Sequence, residues 1–293
     1  MQVLCSTGVF TRSSDPRSHE VILRYGQEFV ADGLELIFYP RWYQDQERIV
    51  RALRSCKLPF PALHMEKSIG DCFSSSNREE REQGVLHFEQ NCAFAHQLGV
   101  QIAVLHLWGM PSSDLQLEQN LQPLARCLDR ASQYGLTLAI ETIPCTYADP
   151  LSNVKRAIEY DSRACVALDT QFLAWHDQLE AVFAASWLWQ ARTVRHVHLK
   201  DHEGPYGSRE GRHYLHPGEG RIDFPRFVQQ LRVAGFDGAL SLEARAIDHE
   251  GQVDVARIQT SLQFMRHLIT EGEQARTTGR NEPSFSRNLS LSS

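Results

Sequence analysis

The sequence predicts an α/β fold, a single (β/α)8 TIM barrel followed by a polar, disordered C-terminal tail. Three observations carry this expectation. Eight short, β-rich apolar runs alternate with longer helix-like segments almost to the end of the 293 residues. Such alternation implies parallel strands joined by right-handed crossovers, and eight units is the number that closes a barrel. The first strand is not followed by the GxGxxG turn of an open, dinucleotide-binding sheet.

Taken in order, "QVLCSTGVF" opens the chain as strand one, and a helix over 19–32 closes on Gly33. "GLELIFYP" is strand two, followed by a helix over 46–56. "FPALHME" is strand three; the stretch "DCFSSSNREEREQG" then joins it to a charged helix over 78–98 and is placed to cover the barrel mouth. "QIAVLHLWG" and a helix over 117–134 form the fourth unit, "LTLAIET" and 151–160 the fifth, and "CVALDT" and 178–192 the sixth. "VRHVHLKD" is strand seven, and its long loop "DHEGPYGSREGRHYLHPGEG" leads to a helix over 224–234. "GALSLEA" and 253–269 complete the set. Gly33, Gly99, Gly135 and Gly235 stand where helices should stop. Residues 1–270 are thus expected to form the barrel and 271–293, Ser-rich and polar, the disordered tail.

Composition narrows the function classes. A formal net charge of −6 argues against a nucleic-acid partner, whose recognition rests on clustered Lys and Arg. The longest apolar stretches are too short to span a bilayer, and "MQVLCSTGVF" lacks the basic start of a secretory signal, so neither membrane nor export is expected. Seven scattered cysteines without a CxxC pair exclude a disulfide framework or zinc ribbon and fit a reducing cytoplasm.

Barrel enzymes draw their chemistry from strand C-termini. Those termini here carry His64, His106, Glu141, Asp169, His198 and Glu243. Period-two alternation puts Thr137, Ala139 and Glu141 on one face, as it does Ser241 with Glu243 and His196 with His198. If these faces point inward, Glu141, Asp169, His198 and Glu243 converge. Three carboxylates at an apolar barrel end repel one another, and a divalent cation removes the conflict. The O,O,N,O donor set suits Mn2+ or Mg2+, with Co2+ or Zn2+ as further options. His196, one layer deeper, is expected to be a hydrogen-bonded supporting residue.

Other candidates keep two readings. His64 and His106 stand as substrate contacts, extra metal ligands or satisfied core histidines, and Trp108 as a wall of the substrate site or a packed aromatic. Lys200 is either a neutraliser of an anionic substrate or a solvated loop lysine. Glu219 is expected to be a turn residue, and Glu35 to make a structural hydrogen bond low in the barrel.

"AIET", "LDT", "HVHLKD", "HPGEGRIDF" and "LSLEA", in that order on those strands, resemble the xylose-isomerase-like superfamily of sugar phosphate isomerases and epimerases. The resemblance implies one divalent ion on Glu141, Asp169, His198 and Glu243, with Glu141 and Glu243 as an acid/base pair on either side of the substrate carbon. It also implies substrate hydroxyls bound near Arg212, His213 and His216. Relatives often carry His three positions after the strand-six Asp, where this chain has Phe172; His176 lies further on. The expected activity is isomerisation or epimerisation of a small polyhydroxylated carbonyl compound. Its alternatives are a lyase or dehydratase using the same enediolate, an AP-endonuclease-like phosphodiesterase and a non-catalytic binding protein. Barrels of this type often form homodimers.

Overall fold

Period-two alternation along eight strands separates two interiors. The computed structural model describes residues 1–109, 111–210 and 214–278. Its strands are β1 (Gln2–Ser6), β2 (Gly33–Ile37), β3 (Ala62–His64), β4 (Ile102–Leu105), β5 (Thr137–Glu141), β6 (Cys165–Asp169), β7 (Val194–Leu199) and β8 (Ala239–Leu242). Each pairs in parallel with the next, and β8 returns to β1, giving the closed eight-stranded barrel. Val3, Leu34, Leu63, Leu138, Val166, Val197 and Leu240 point outward into one continuous apolar core beneath the helices. Their neighbours Leu4, Ala62 and Ala239, and Val104, Ala139 and Ala167, form two small clusters inside the barrel. Residues on one side of every strand therefore seal the helical layer, and those on the other rise through the barrel to its C-terminal rim.

The helices are α1 (Ser18–Tyr25), α2 (Gln46–Leu53), α3 (Ser68–Ser74), α4 (Arg78–Gln97), α5 (Leu117–Leu121), α6 (Leu124–Gln133), α7 (Pro150–Tyr160), α8 (Thr170–Trp175), α9 (Ala181–Ala184), α10 (Ser186–Trp189), α11 (Phe224–Val233) and α12 (Val255–Thr278). α6 shows why they pack. Leu124, Cys127, Leu128 and Ala131 recur at helical spacing on its buried side. Caps fix several starts: the side chains of Asn77, Asp149 and Asp223 accept backbone N–H groups at the heads of α4, α7 and α11.

Several expectations need correcting. The helix expected over 117–134 divides at Pro123, which heads α6 and cannot continue the hydrogen-bonding of α5. The one expected over 178–192 divides at Ala185, which leaves helical geometry. There the Trp189 indole donates to the Val182 carbonyl and stacks on Phe183, so side-chain packing outweighs helix propensity. The stretch after β3, expected as a connecting loop, begins as α3. Gly99, Gly135 and Gly235 do close helices with positive φ, whereas Gly33 begins β2. The last helix passes the expected boundary at 270 and runs to Thr278, while 279–293, the rest of the expected tail, lies outside the described residues.

All seven cysteines are unpaired. Among the described residues no helix is long and apolar enough to cross a membrane.

One irregularity matters for the interior. Val194 pairs with Val166, but His196 pairs with Ala167, so Arg195 is an extra residue in β7. Val194 packs in the outer core. The bulge resets the alternation so that His196 and His198 lie level with Ala167 and Asp169 inside the barrel.

α3 sits tightly against the end of β4. A Cβ on Gly70 would stand 2.4 Å from the His106 carbonyl oxygen and 2.8 Å from the Trp108 carbonyl carbon. Gly70→Ala is therefore expected to lower stability by about 1–3 kcal/mol, the usual cost of forced overpacking. A lower denaturant midpoint with an unchanged slope would show it, and wild-type stability would mean that α3 is free to move.

Candidate functional site

At the barrel rim β5, β6, β7 and the end of β8 each deliver one side chain to the same place. One ligating atom from each of Glu141, Asp169, His198 and Glu243 lies within 4.8 Å of all the others. His198 Nδ1 is 2.8 Å from Glu141 Oε1, 3.3 Å from Glu243 Oε2 and 4.0 Å from Asp169 Oδ2. Asp169 is oriented from behind, because its Oδ1 accepts the Phe172 N–H at the head of α8. That leaves Oδ2 facing the cluster without a well-aligned hydrogen bond.

The other nitrogen of His198 is held from below. His198 Nε2 is 2.9 Å from Glu35 Oε1, and Glu35 Oε2 accepts the Ser241 hydroxyl at 2.6 Å. His196 Nε2 lies 3.3 Å from the same carboxylate. Glu35, expected to make only a structural bond low in the barrel, thus fixes the ring that faces the carboxylates. This is the arrangement in which a carboxylate orients a metal-binding imidazole.

Charge is concentrated here to an unusual degree. Glu35, Glu141, Asp169 and His198 are all buried, and Glu243 is nearly so. Burial alone would lower the His198 pKa, but Glu35, Glu243 and Glu141 raise it well above the ordinary value. Burial would raise Glu141, yet His198 and His106 hold it well below the carboxylate range. Burial likewise opposes ionisation of Glu243, which Lys200 and His198 nevertheless pull down to about 2. Asp169 behaves differently. Burial and the charges of Glu141 and Glu243 push it up to about 6 despite Lys200. Four buried or nearly buried carboxylates, Glu35, Glu141, Asp169 and Glu243, gathered around one imidazole and one ammonium carry more negative than positive charge, which a divalent ion would offset.

Lys200 is neither solvated nor open to a substrate anion, contrary to both readings of the sequence. It is buried, with Nζ 2.5 Å from Asp169 Oδ2 and 2.8 Å from Glu243 Oε2. Its stem turns inward because Thr170 Oγ1 bonds both its N–H and its carbonyl. The ammonium sits 4.2 Å over the ring of Phe172.

His64 and His106 gather on the other side of Glu141. Glu141 Oε2 is 3.1 Å from His64 Nε2 and 2.7 Å from His106 Nε2. Together the three residues form a second group close enough to hold a cation. Burial lowers His106 to about 4 even though Glu141 works the other way. Trp108 is fully buried, and its indole donates to the Pro144 carbonyl at 3.1 Å. His176 accepts the Cys145 N–H, away from the cluster. His216 is buried too. Its Nδ1 meets Ser261 Oγ at 2.6 Å and its Nε2 the Arg245 carbonyl at 3.3 Å, so the fold does not bring it to the cluster. Arg212 and His213 lie outside the described residues.

Glu243 forms part of the wall of a cavity of about 820 Å3 that also takes in Arg12, Tyr39, Lys67 and Arg245. Sequence reading passed over these four. Lys67 lies three residues past His64 and Arg245 two past Glu243, and position just beyond a strand tip was the available signal.

Asp201 explains why "HLKD" and "PGEG" occur together. Its buried carboxylate accepts the N–H groups of His202, Gly218, Gly220 and Ile222 at 2.7–3.0 Å. A Cβ on Gly220 would stand 2.5 Å from Asp201 Oδ1, so only glycine fits. Glu219 pairs with Arg257 and accepts the His216 N–H, which makes it the turn residue expected.

With this geometry in view, comparison with known proteins places the chain. A family model described as xylose isomerase-like TIM barrel matches residues 21–268. The chain belongs to that family. Among solved structures it is similar to an L-ribulose 3-epimerase, with a TM-score of 0.74, 19% identity and coverage of 96% of this chain and 99% of that one. A D-allulose 3-epimerase from Methylomonas sp. superposes with a TM-score of 0.74 at 13% identity, covering 92% and 98%. The 3-keto-D-glucoside 4-epimerase of E. coli gives 0.68 at 19%, covering 91% and 99%. No curated protein matches the sequence. Identities this low establish the shared xylose isomerase-like fold.

Removing the Asp201 carboxylate would leave four N–H groups unsatisfied, each worth about 1–3 kcal/mol. Asp201→Ala is expected to cost about 3 kcal/mol or more and to speed proteolysis between residues 202 and 222. A neutral result in both assays would show that the loop holds without this anchor.

Proposed function

We propose that the protein is a divalent-metal-dependent isomerase or epimerase of a small sugar-like hydroxy-carbonyl compound. The supporting observation is the meeting of Glu141, Asp169, His198 and Glu243 atoms within 4.8 Å beside a ligand-sized cavity. The three solved structures compared above, each named as a sugar epimerase, support the same reading.

In this reading Glu141, Asp169 and Glu243 oxygens and His198 Nδ1 would hold one ion, Mn2+ or Mg2+ by donor type, with Co2+ or Zn2+ also compatible. When bound, the ion supplies positive charge for the oxyanion that develops as a carbon next to a carbonyl is deprotonated. The remaining work belongs to the side chains. Glu243, on the cavity wall, takes the proton from one face of that carbon. Glu141 serves the opposite face, its carboxylate fixed by His64, His106 and His198. Return to the opposite face of the same carbon inverts it, and return to its neighbour isomerises the compound. Loss of a β-substituent from the same intermediate would make the enzyme a lyase or dehydratase, so release of water or an aglycone distinguishes that alternative.

One observation favours a second reading. His64, His106 and Glu141 form an additional cation-sized group, as a multi-metal AP-endonuclease-like phosphodiesterase would require. The net charge of −6 weighs against a nucleic-acid substrate. Cleavage of abasic DNA by protein carrying more than one ion would establish this reading over the first.

The main test is transfer of solvent deuterium to substrate carbon across a panel of keto- and aldo-sugars with Mn2+. Exchange is expected on some members, lost on chelation, and reduced on the order of 10²–10⁴-fold in Glu141→Gln and Glu243→Gln. Absence of exchange throughout the panel would contradict the proposal. Glu35→Gln should weaken Mn2+ binding about 10–100-fold without touching a ligand, measured by competition with a chelating dye; unaltered affinity would remove Glu35 from the site.

A further inference from the structure

The carboxylates of the rim already hold a cation of the protein's own. Lys200 is buried, and its Nζ lies 2.5 Å from Asp169 Oδ2 and 2.8 Å from Glu243 Oε2. Asp169 and Glu243 are two of the four residues whose ligating atoms meet within 4.8 Å.

Asp169 has no choice about which oxygen it offers. Its Oδ1 accepts the Phe172 N–H at 2.9 Å, so Oδ2 alone faces the other side chains. That oxygen is the one the ammonium occupies. An ammonium and a divalent ion drawn to the same buried oxygen repel one another strongly, because little water screens them there.

The backbone of Lys200 is not free to make room. Its N–H donates to Thr170 Oγ1 at 3.0 Å, and its carbonyl accepts the Thr170 hydroxyl at 2.6 Å. Movement is left to the flexible stem of the side chain. The half-buried ring of Phe172, 4.2 Å from the ammonium, gives that charge a favourable face to move along.

We propose that Lys200 is an internal competitor of the divalent ion for Asp169 and Glu243. Lys200 gives up Asp169 Oδ2 when an ion takes that oxygen, so the site binds its ion less tightly than its four donors alone would. The same lysine offsets part of the buried negative charge, so the fold tolerates these carboxylates without depending on an ion. The inference rests on the metal-dependent reading above and adds how this chain limits its hold on the ion.

The test is competition for Mn2+ between a chelating dye and three proteins: wild type, Lys200→Met and Lys67→Met. Methionine keeps most of the stem and removes the charge. Lys67→Met is the control for charge at a distance, since Lys67 is exposed and acts on Glu243 through space. Lys200→Met is expected to bind Mn2+ about tenfold or more tighter than wild type, because no charge-assisted contact has to be broken. Lys67→Met is expected to change the affinity far less. Equal tightening in both variants, or unaltered or weaker binding in Lys200→Met, would overturn the proposal. Lys200→Met leaves buried carboxylates without their partner and risks failing to fold, so crystals of the wild-type protein supply a second measurement. With chelator, Lys200 Nζ should lie within hydrogen-bond distance of Asp169 Oδ2, and after a Mn2+ soak beyond it. A lysine unmoved beside a bound ion contradicts the competition. The two readings fail separately. Mn2+ bound by none of the three proteins removes the metal-dependent reading and this inference with it, whereas binding that Lys200→Met leaves unchanged removes this inference alone.

Discussion

Burying like charges together is the constraint on which the rest of this molecule turns. Glu35, Glu141 and Asp169 sit inside the barrel, with Glu243 just above them. An ionised carboxylate out of water costs several kcal/mol unless it is paired and hydrogen-bonded, and breaking such a pair is costlier than never having built it. The barrel answers with a layered network. Ser241, His196 and His198 serve Glu35; His198, His106 and His64 serve Glu141; Lys200 bridges Asp169 and Glu243. Lys200 is shared between Asp169 and Glu243, so four carboxylates outnumber the cations around them, and burial with the charges of Glu141 and Glu243 still pushes Asp169 up to about 6.

The surrounding fold can be understood as what holds that network in register. Small residues, Ala62, Ala139, Ala167 and Ala239, fill the lower barrel and leave room for the polar layer above them. The β7 bulge turns both histidines inward. Asp201 then closes the strand-seven loop over the rim by gathering four backbone N–H groups, so "PGEG" is a structural latch. His216 belongs to that latch through Ser261. Positions that look functional in the motif therefore divide by what their polar atoms meet.

Much of this was legible in the sequence because strand alternation is a strict period. The eight strands, the inward faces of β5 and β8 and the convergence of Glu141, Asp169, His198 and Glu243 follow from it. What escaped lies where the period breaks or ends. Nothing in "VRHVHLKD" reveals that Arg195 is an extra residue, so Val194 seems to share a face with His196 when it packs outside. Lys200 and Trp108 stand past the last ladder pairs. Thr170 turns the lysine inward and the Pro144 carbonyl ties down the indole, and neither contact has a sequence signature. The partner of Glu35 was invisible for a different reason. A contact across the barrel from β2 to β7 depends on closure and stagger, which no local pattern encodes.

Because the network's charge deficit motivates the single-ion site, locating the ion tests the account most directly. Anomalous diffraction from a Mn2+-soaked crystal should give one peak about 2.0–2.6 Å from oxygens of Glu141, Asp169 and Glu243 and from His198 Nδ1. A peak bound by other residues, or no peak between these four at saturating Mn2+, would contradict it.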